Sequence, residues 1–458
     1  MAWSCLCVLA TVAHATHGAT TSFEALGSWI AREGGLIGSI AVETRDGLRG
    51  LHATCSVPAG ESLLAVPRHC TLWAKEGDGL KAHEQLILRL LECEVSGDLS
   101  YVQEMLPKQV TLLRDWSDEQ LDALQSPTLR EEVECQRQWL DSTCQRLLTF
   151  WCRRGWSKEQ FPSVQRCKWA ESIVRSRSLD ITSESDGGNV LAIVPLFDLC
   201  NHQRLPPTND LHASKQVEPE HGDSERDPSR APPVLVTADG VIVLCARTPL
   251  HHGNEVFIDY GGEGGNARLL LDYGFAELHE EDPGCERIHL GDYLGPDLAH
   301  VLGGPMSISL GTASLDEQAI LAVRDRLMLD EAASLVESTG SCPQATDLSL
   351  RSEQTSWSEQ QVASMLQRMC VETLANMPTS EQEDRDELKS LQQDADDSSF
   401  RLAMALRYRI GQKRALRWTA QCLNEALANA NAGEKWRPVL ETLAESRYSA
   451  PFSKLSVI

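Results

Sequence analysis

The stretch VPLFDLCNHQ, residues 194–203, ends an apolar run on Asp198, Cys200, Asn201 and His202, four groups able to ligate, attack or titrate. A thiol with an imidazole two residues on could form a nucleophile and its base. Residues two apart on a strand are only same-face neighbours, however, and no orienting acid is evident, so a strand end with a buried thiol is the stronger reading. Metal chemistry finds little support. The 15 cysteines are odd in number and scattered, with no Cys-x-x-Cys pair, and read as reduced thiols with no metal site.

A second stretch, HHGNEVFIDYGGEGGNARLLLDYGFAELHEED, reads as a strand over 255–260, a glycine-rich turn and a helix over 266–273. It sets Tyr260 at a strand end, where a phenol offers both a flat ring and a hydroxyl. Tyr273 follows on the helix.

The elements that must position these groups are mixed. Residues 38–67 alternate short β-branched runs with Gly and Pro, as small strands joined by tight turns do. In KAHEQLILRLLECEVSG, Leu86, Ile87, Leu90 and Leu91 share a helical face, and helical spacing persists to the Trp-Leu of 139–140. Strands resume in VLAIVPLFDLCNH and PVLVTADGVIVLCARTPL, where Asp239-Gly240 signals a two-residue hairpin. The Pro-, Asp-, Ser- and Glu-rich segment of about 203–232 is expected to be a mobile surface loop. Beyond about residue 311 the spacing is helical, with Val362, Met365, Leu366 and Met369 in phase. The acidic tract SEQEDRDELKSLQQDADDSS reads as a solvated linker or helix face.

With 458 residues, several domains are expected, and 42% apolar against 24% charged residues is the balance of a packed globular protein. Lys and Arg number 42 against 66 Asp and Glu, a net charge of -24 that repels phosphate backbones and anionic headgroups. Nucleic acid and membrane partners are therefore not expected. Residues 1–20 are leader-like, with an apolar run before Ala13-His14-Ala15, yet the first Lys or Arg is Arg32. A cytoplasmic location is expected, with a plastid or other organelle as the alternative.

Asn201-His202 closing a buried run, followed by Tyr260, Asn266 and the DYGF of 272–275, resembles the SET-domain protein methyltransferases of the Rubisco large-subunit lysine methyltransferase class. Upstream, KWAESIVRSRSL is similar to the class's Arg-Ser-Arg segment (Arg175, Ser176, Arg177), and DGLRGLHAT to its first cofactor loop. YVQEMLPKQVTLLRDWSDEQLDALQSPTL looks like its helical insertion, and RLAMALRYRIGQKRAL like its C-terminal substrate-binding helices. The resemblance runs in order over roughly residues 23–423.

It implies an α+β SET-type fold of small β-sheets with a helical insertion, followed by an all-α C-terminal domain. The SET domain is placed at 21–300, its insertion at about 75–180 and the helical substrate-binding domain at 301–445. It further implies S-adenosyl-L-methionine as cofactor, bound by Leu48, Arg49, Gly50, Leu51, Arg177, Asn201 and His202. Tyr260 takes the catalytic position, and Ser176 and Tyr273 meet the acceptor. Asp198 and Cys200 are read as structural. Only Cys285 lies in AELHEEDPGCERIHLG, too few thiols for the zinc-closed channel of histone-directed relatives. The expected reaction is methylation of a side-chain nitrogen, lysine first, on a protein docked between the SET domain and the C-terminal helices, by a monomer. Histidine methylation by the same fold and a non-catalytic protein-binding module are the alternatives.

Overall fold

The computed structural model describes residues 18–45, 47–98, 101–102, 105–183, 188–204, 234–237, 240–260, 265–278, 286–289, 307–309, 359–391 and 397–429. The chain forms two compact units, 1–112 with 135–260 and 113–134 with 261–458.

In the first unit, helix α1 (Gly18–Arg32) buries Leu26 and Ile30, one turn apart. It is followed by β1 (Leu36–Ile37) and by an antiparallel hairpin of β2 (Ile40–Arg45) and β3 (Leu48–Ala53), with Arg45 opposite Leu48. Gly47 supplies the positive φ (82°) that this turn requires. After β4 (Ser62–Val66) and β5 (Leu72–Ala74) come the helices α2 (Ala82–Ser96), α3 (Asp118–Asp122), α4 (Pro127–Arg153) and α5 (Val164–Arg177). Of these, α3 belongs to the second unit, and the division between units falls within α4. Helix α2 buries Leu86, Ile87, Leu90 and Leu91, each such side chain contributing about 1.5–3 kcal/mol of transfer free energy. Its first turn is closed by Lys81 N–H donating to Glu84 Oε2 at 2.9 Å, and it ends on left-handed Gly97.

Strands β6 (Ser178–Ser183) and β7 (Gly188–Ile193) join β5 in the order β5-β7-β6. β9 (Val234–Val236) and β10 (Ile242–Cys245) complete a sheet ordered β1-β4-β10-β9. Between these sheets in sequence, β8 (Asn201–His202) pairs in parallel with β11 (Phe257–Ile258), Asn201 opposite Phe257 and His202 opposite Ile258. Such small sheets with inserted and following helices make the α+β class expected from the sequence.

Three local expectations change. The run 190–202 is not one strand: β7 stops at Ile193, Leu196 turns left-handed (φ 72°), and a 3-10 turn over Phe197–Leu199 delivers Asn201 to its own short ladder. Pro195, which lacks an N–H, cannot continue the ladder. The strand over 255–260 contracts to β11, Glu255 joining only by an isolated bridge to His52. Of the hairpin expected at Asp239-Gly240, Asp239 lies outside the described residues, while Thr237 N–H closes on Val241 O (3.0 Å) across three intervening residues in place of two, with Gly240 at φ 80°. The loop of 205–232 and the helices expected over 311–358 lie outside the described residues.

The second unit holds α6 (Gly265–Tyr273), the antiparallel pair β12 (Arg287–His289) and β13 (Ser307–Ser309), and helices α7 (Glu359–Asn376), α8 (Glu381–Leu391) and α9 (Asp397–Asn429). Val362, Leu366 and Met369 of α7 are buried and α7 packs along α9, while Met365 is half-buried. The acidic tract contains α8, but not all of it is solvated. Asp384 is wholly buried, with its two oxygens on Arg409 and Lys413 of α9, while Thr379 donates to Asp384 Oδ1 at 2.8 Å. Arg409 also donates to Ala123 O at 3.2 Å, tying α9 to the segment after α3. Asn266 is a brace in this unit: Nδ2 donates to Glu277 O (3.0 Å), and Oδ1 accepts Glu277 N–H (2.7 Å). Among the described residues no helix is long and apolar enough to cross a membrane.

Candidate active site

The first unit brings together β3, β8 and the residues around β11. Val256 N–H donates to Leu51 O and Ala53 N–H to Asn254 O, both at 2.8 Å, so residues 254–256 run along the edge of β3. The side chain of Asn201 crosses to that strand, its Nδ2 donating to Arg49 O at 3.3 Å and to Glu255 Oε1 at 2.6 Å. Gly50 lies under this contact. A Cβ there would overlap Glu255 Oε1 and approach Asn201 Nδ2 to 3.0 Å, so a side chain at this position would displace the contact. Leu48 and Arg49 are half-buried and Leu51 is buried.

His202 and Tyr260 are held as a pair. Tyr260 N–H donates to His202 Nδ1 at 3.1 Å, and the two rings stand 5.1 Å apart, tilted by 33°. An Nδ1 that accepts a backbone proton puts the ring's own proton on Nε2 when the imidazole is neutral. At the other end of Tyr260 the hydroxyl donates to Cys200 O at 2.8 Å. The phenol is thus fixed at its backbone and its tip.

Cys200 contributes its carbonyl, not its sulfur. Burial, followed by the nearby Asp198 and Glu255 carboxylates, pushes the thiol far above its usual range, and the thiolate is the reactive form. The imidazole nitrogen that would have to serve as base already receives Tyr260 N–H. This removes the Cys-His nucleophile considered for the opening motif. Iodoacetamide applied to the folded protein should leave Cys200 unmodified in peptide mass spectrometry; fast labelling there would restore the thiol as a candidate.

Arg177 and Ser176 end α5. The Ser176 hydroxyl donates to Ser172 O at 2.7 Å and accepts from Arg177 Nη1 at 3.2 Å. Arg177 Nε lies 3.5 Å from Asp198 Oδ2, an ion pair longer than a charge-assisted hydrogen bond. Asp198 also faces the buried Tyr101, whose hydroxyl is held protonated by burial first and by that carboxylate second. Met105, just beyond Tyr101, accepts Arg49 Nη2–H on its carbonyl at 3.2 Å. Tyr273 belongs to the second unit, where its ring lies 6.3 Å from that of Phe275. Among the described residues no group of three His, Cys, Asp or Glu side chains is placed to hold a metal ion.

Sequence reasoning missed Glu255. It stood out only as the start of a strand, and an acid two residues before the register partner of Asn201 was the one available signal. Nothing in the sequence pairs it with His52.

Comparison with known proteins bears on this arrangement. Residues 311–416 match the family model for Rubisco LSMT substrate-binding. The structure superposes on the SET domain of LSMT bound to lysine and AdoHcy with a TM-score of 0.61 at 21% identity, covering 90% of this chain and 92% of that one. The chain shares the fold of that SET domain. The structure of Rubisco LSMT bound to AdoMet matches at a TM-score of 0.58 and 20% identity, over 88% of this chain and 92% of that one. Two curated plant relatives extend the likeness. The chloroplastic Rubisco large subunit N-methyltransferase of Nicotiana tabacum is 27% identical over 54% of this chain and 50% of its own length. The chloroplastic [fructose-bisphosphate aldolase]-lysine N-methyltransferase of Arabidopsis thaliana is 26% identical over 87% of this chain and 82% of its own. The chain therefore spans about half the length of the tobacco relative it matches. It keeps the Asn-His pair beside a strand-end Tyr in one unit, with the substrate-binding match falling in the other.

Proposed function

We propose that the protein transfers a methyl group from S-adenosylmethionine to a side-chain nitrogen, lysine first, of a non-histone protein. One observation carries the reading: Tyr260, two residues past the end of β11, is clamped between His202 Nδ1 and Cys200 O, which sets it beside the Asn201-His202 strand. The residues fit the cofactor. The Asn201 Nδ2 bond to Arg49 O brings β3 beside the Asn-His pair, so the backbone of Leu48, Arg49, Gly50 and Leu51 and the polar groups of Asn201 and His202 are together proposed to hold it. Arg177, not fully engaged by Asp198, suits the cofactor's carboxylate.

The cofactor supplies a methyl group on a sulfonium, which moves to an amine by in-line displacement, so catalysis is mostly positioning. A lysine must first be neutral, which from a solution pKa of about 10.4 costs about 4–5 kcal/mol near pH 7. Desolvation in a channel lowers that cost. The Tyr260 ring narrows the channel, and its oxygen, with the proton committed to Cys200 O, accepts from polarised groups near the transferring methyl. Ser176, through its carbonyl, and Tyr273 are proposed to meet the acceptor. The SET domain over 21–300, its insertion at about 75–180 and the helical substrate-binding domain over 301–445 remain the proposed organisation, with the helices engaging the protein substrate. The compartment proposed is a plastid, because the curated relatives are named chloroplastic and nothing supports the cytoplasm.

Incubation with methyl-labelled S-adenosylmethionine and stromal protein tests this. Label should appear on lysine side chains by mass spectrometry. Label on histidine would move the acceptor assignment, and cofactor binding without any transfer would favour a non-catalytic binding module.

A further inference from the structure

Asn201 Nδ2 has two N–H groups, and both are spent, one on the Glu255 carboxylate and one on Arg49 O. The reversed amide would set an oxygen against two acceptors with no proton between them, so its orientation is fixed. Covalent geometry then places Oδ1 on the other side of the amide, an acceptor polarised by the carboxylate one hydrogen bond away. Such an oxygen, beside a negative charge, suits a cationic donor better than a neutral one.

We propose that Glu255 is a positioning residue that sets the Asn201 amide to receive the ammonium of the cofactor's amino-acid end. The assignment rests on the methyl-transfer reading above. Several features hold Glu255 for this task. Its neighbours Asn254 and Val256 are bonded to β3, and its Oε2 faces the buried His52 ring at 3.8 Å. His52 in turn has Nδ1 3.3 Å from Gly50 O, so the imidazole, the carboxylate and the amide form one file along the glycine strand. Gly50 lets this file close, since any side chain there would occupy the carboxylate's place.

The test is calorimetry on the full chain with two ligands, S-adenosylhomocysteine and 5′-methylthioadenosine, which keeps the adenosyl thioether but lacks the amino-acid end. Glu255→Ala should weaken S-adenosylhomocysteine by about tenfold, the worth of a hydrogen bond to a charged group. Methylthioadenosine should change by less than about twofold, since its recognition does not use that oxygen. Glu255→Gln keeps an acceptor without the charge and should lose only about threefold, roughly half the effect in free energy. Equal losses for both ligands would mean that Glu255 merely supports the fold, and no loss in either variant would mean that Asn201 needs no orienting; both overturn the proposal while leaving methyl transfer standing. A wild-type chain that binds neither ligand would overturn the methyl-transfer reading itself.

Discussion

Tyr260→Phe lowers turnover by about 10²- to 10³-fold, the usual effect of losing one pre-organised polar group at a reacting centre. S-adenosylhomocysteine affinity stays within about twofold, because the ring and the backbone bond to His202 both survive the change. The split follows from how the residue is held. Its hydroxyl bonds Cys200 O at 2.8 Å, so phenylalanine removes the oxygen proposed to act beside the transferring methyl and leaves that carbonyl without this donor. Steady-state turnover with labelled cofactor, set beside calorimetry, measures both quantities. A fall in affinity as large as the fall in turnover would make Tyr260 a binding residue.

Asp384→Ala destabilises the second unit by about 3–5 kcal/mol, the typical result of removing one partner from a buried ionic cluster. Arg409 and Lys413 would both lose their carboxylate in a region that Asp384 shares with no solvent. Burial already lowers the Lys413 pKa, with Asp384 acting against the shift; without the acid the amine is expected to shed its proton. Arginine has no such escape. Asp384→Asn, which keeps hydrogen-bonding capacity, costs about 1–3 kcal/mol. Urea titration followed by hydrogen exchange at α8 and α9 reads the difference. A midpoint unchanged by alanine would show the cluster contributes nothing to the unit.

The legible and illegible parts of this molecule divide by range. Helix α2 could be read because Leu86, Ile87, Leu90 and Leu91 repeat within two turns, and the α+β class because strand-like and helical periods alternate along the chain. The Asn201-His202 pair and Tyr260 were singled out by residue type and by resemblance to a family whose fold the structure shares. What escaped depends on contacts between distant segments. His52 and Glu255 meet only because 254–256 lie along β3, and no local period announces that. Asp384 was hidden for a related reason. It sits in an acidic tract whose composition describes a wet surface, and only α9 turns this one acid inward. The break at Leu196 shows the limit of apolar continuity as a strand signal, since a 3-10 turn can be as greasy as a ladder.

The parallel match of Asn201 with Phe257 and His202 with Ile258 has a consequence for how such genes can drift. Length can be gained or shed between 205 and 233 without disturbing the ladder, because both of its rungs lie outside that span. A one-codon change between Phe257 and Tyr260 has no such latitude: strand neighbours point to opposite sides, so the phenol would exchange places with Asp259 or its successor. Natural variation in this lineage should therefore accumulate as indels in the long connection and as substitutions alone in the four residues that end at the phenol.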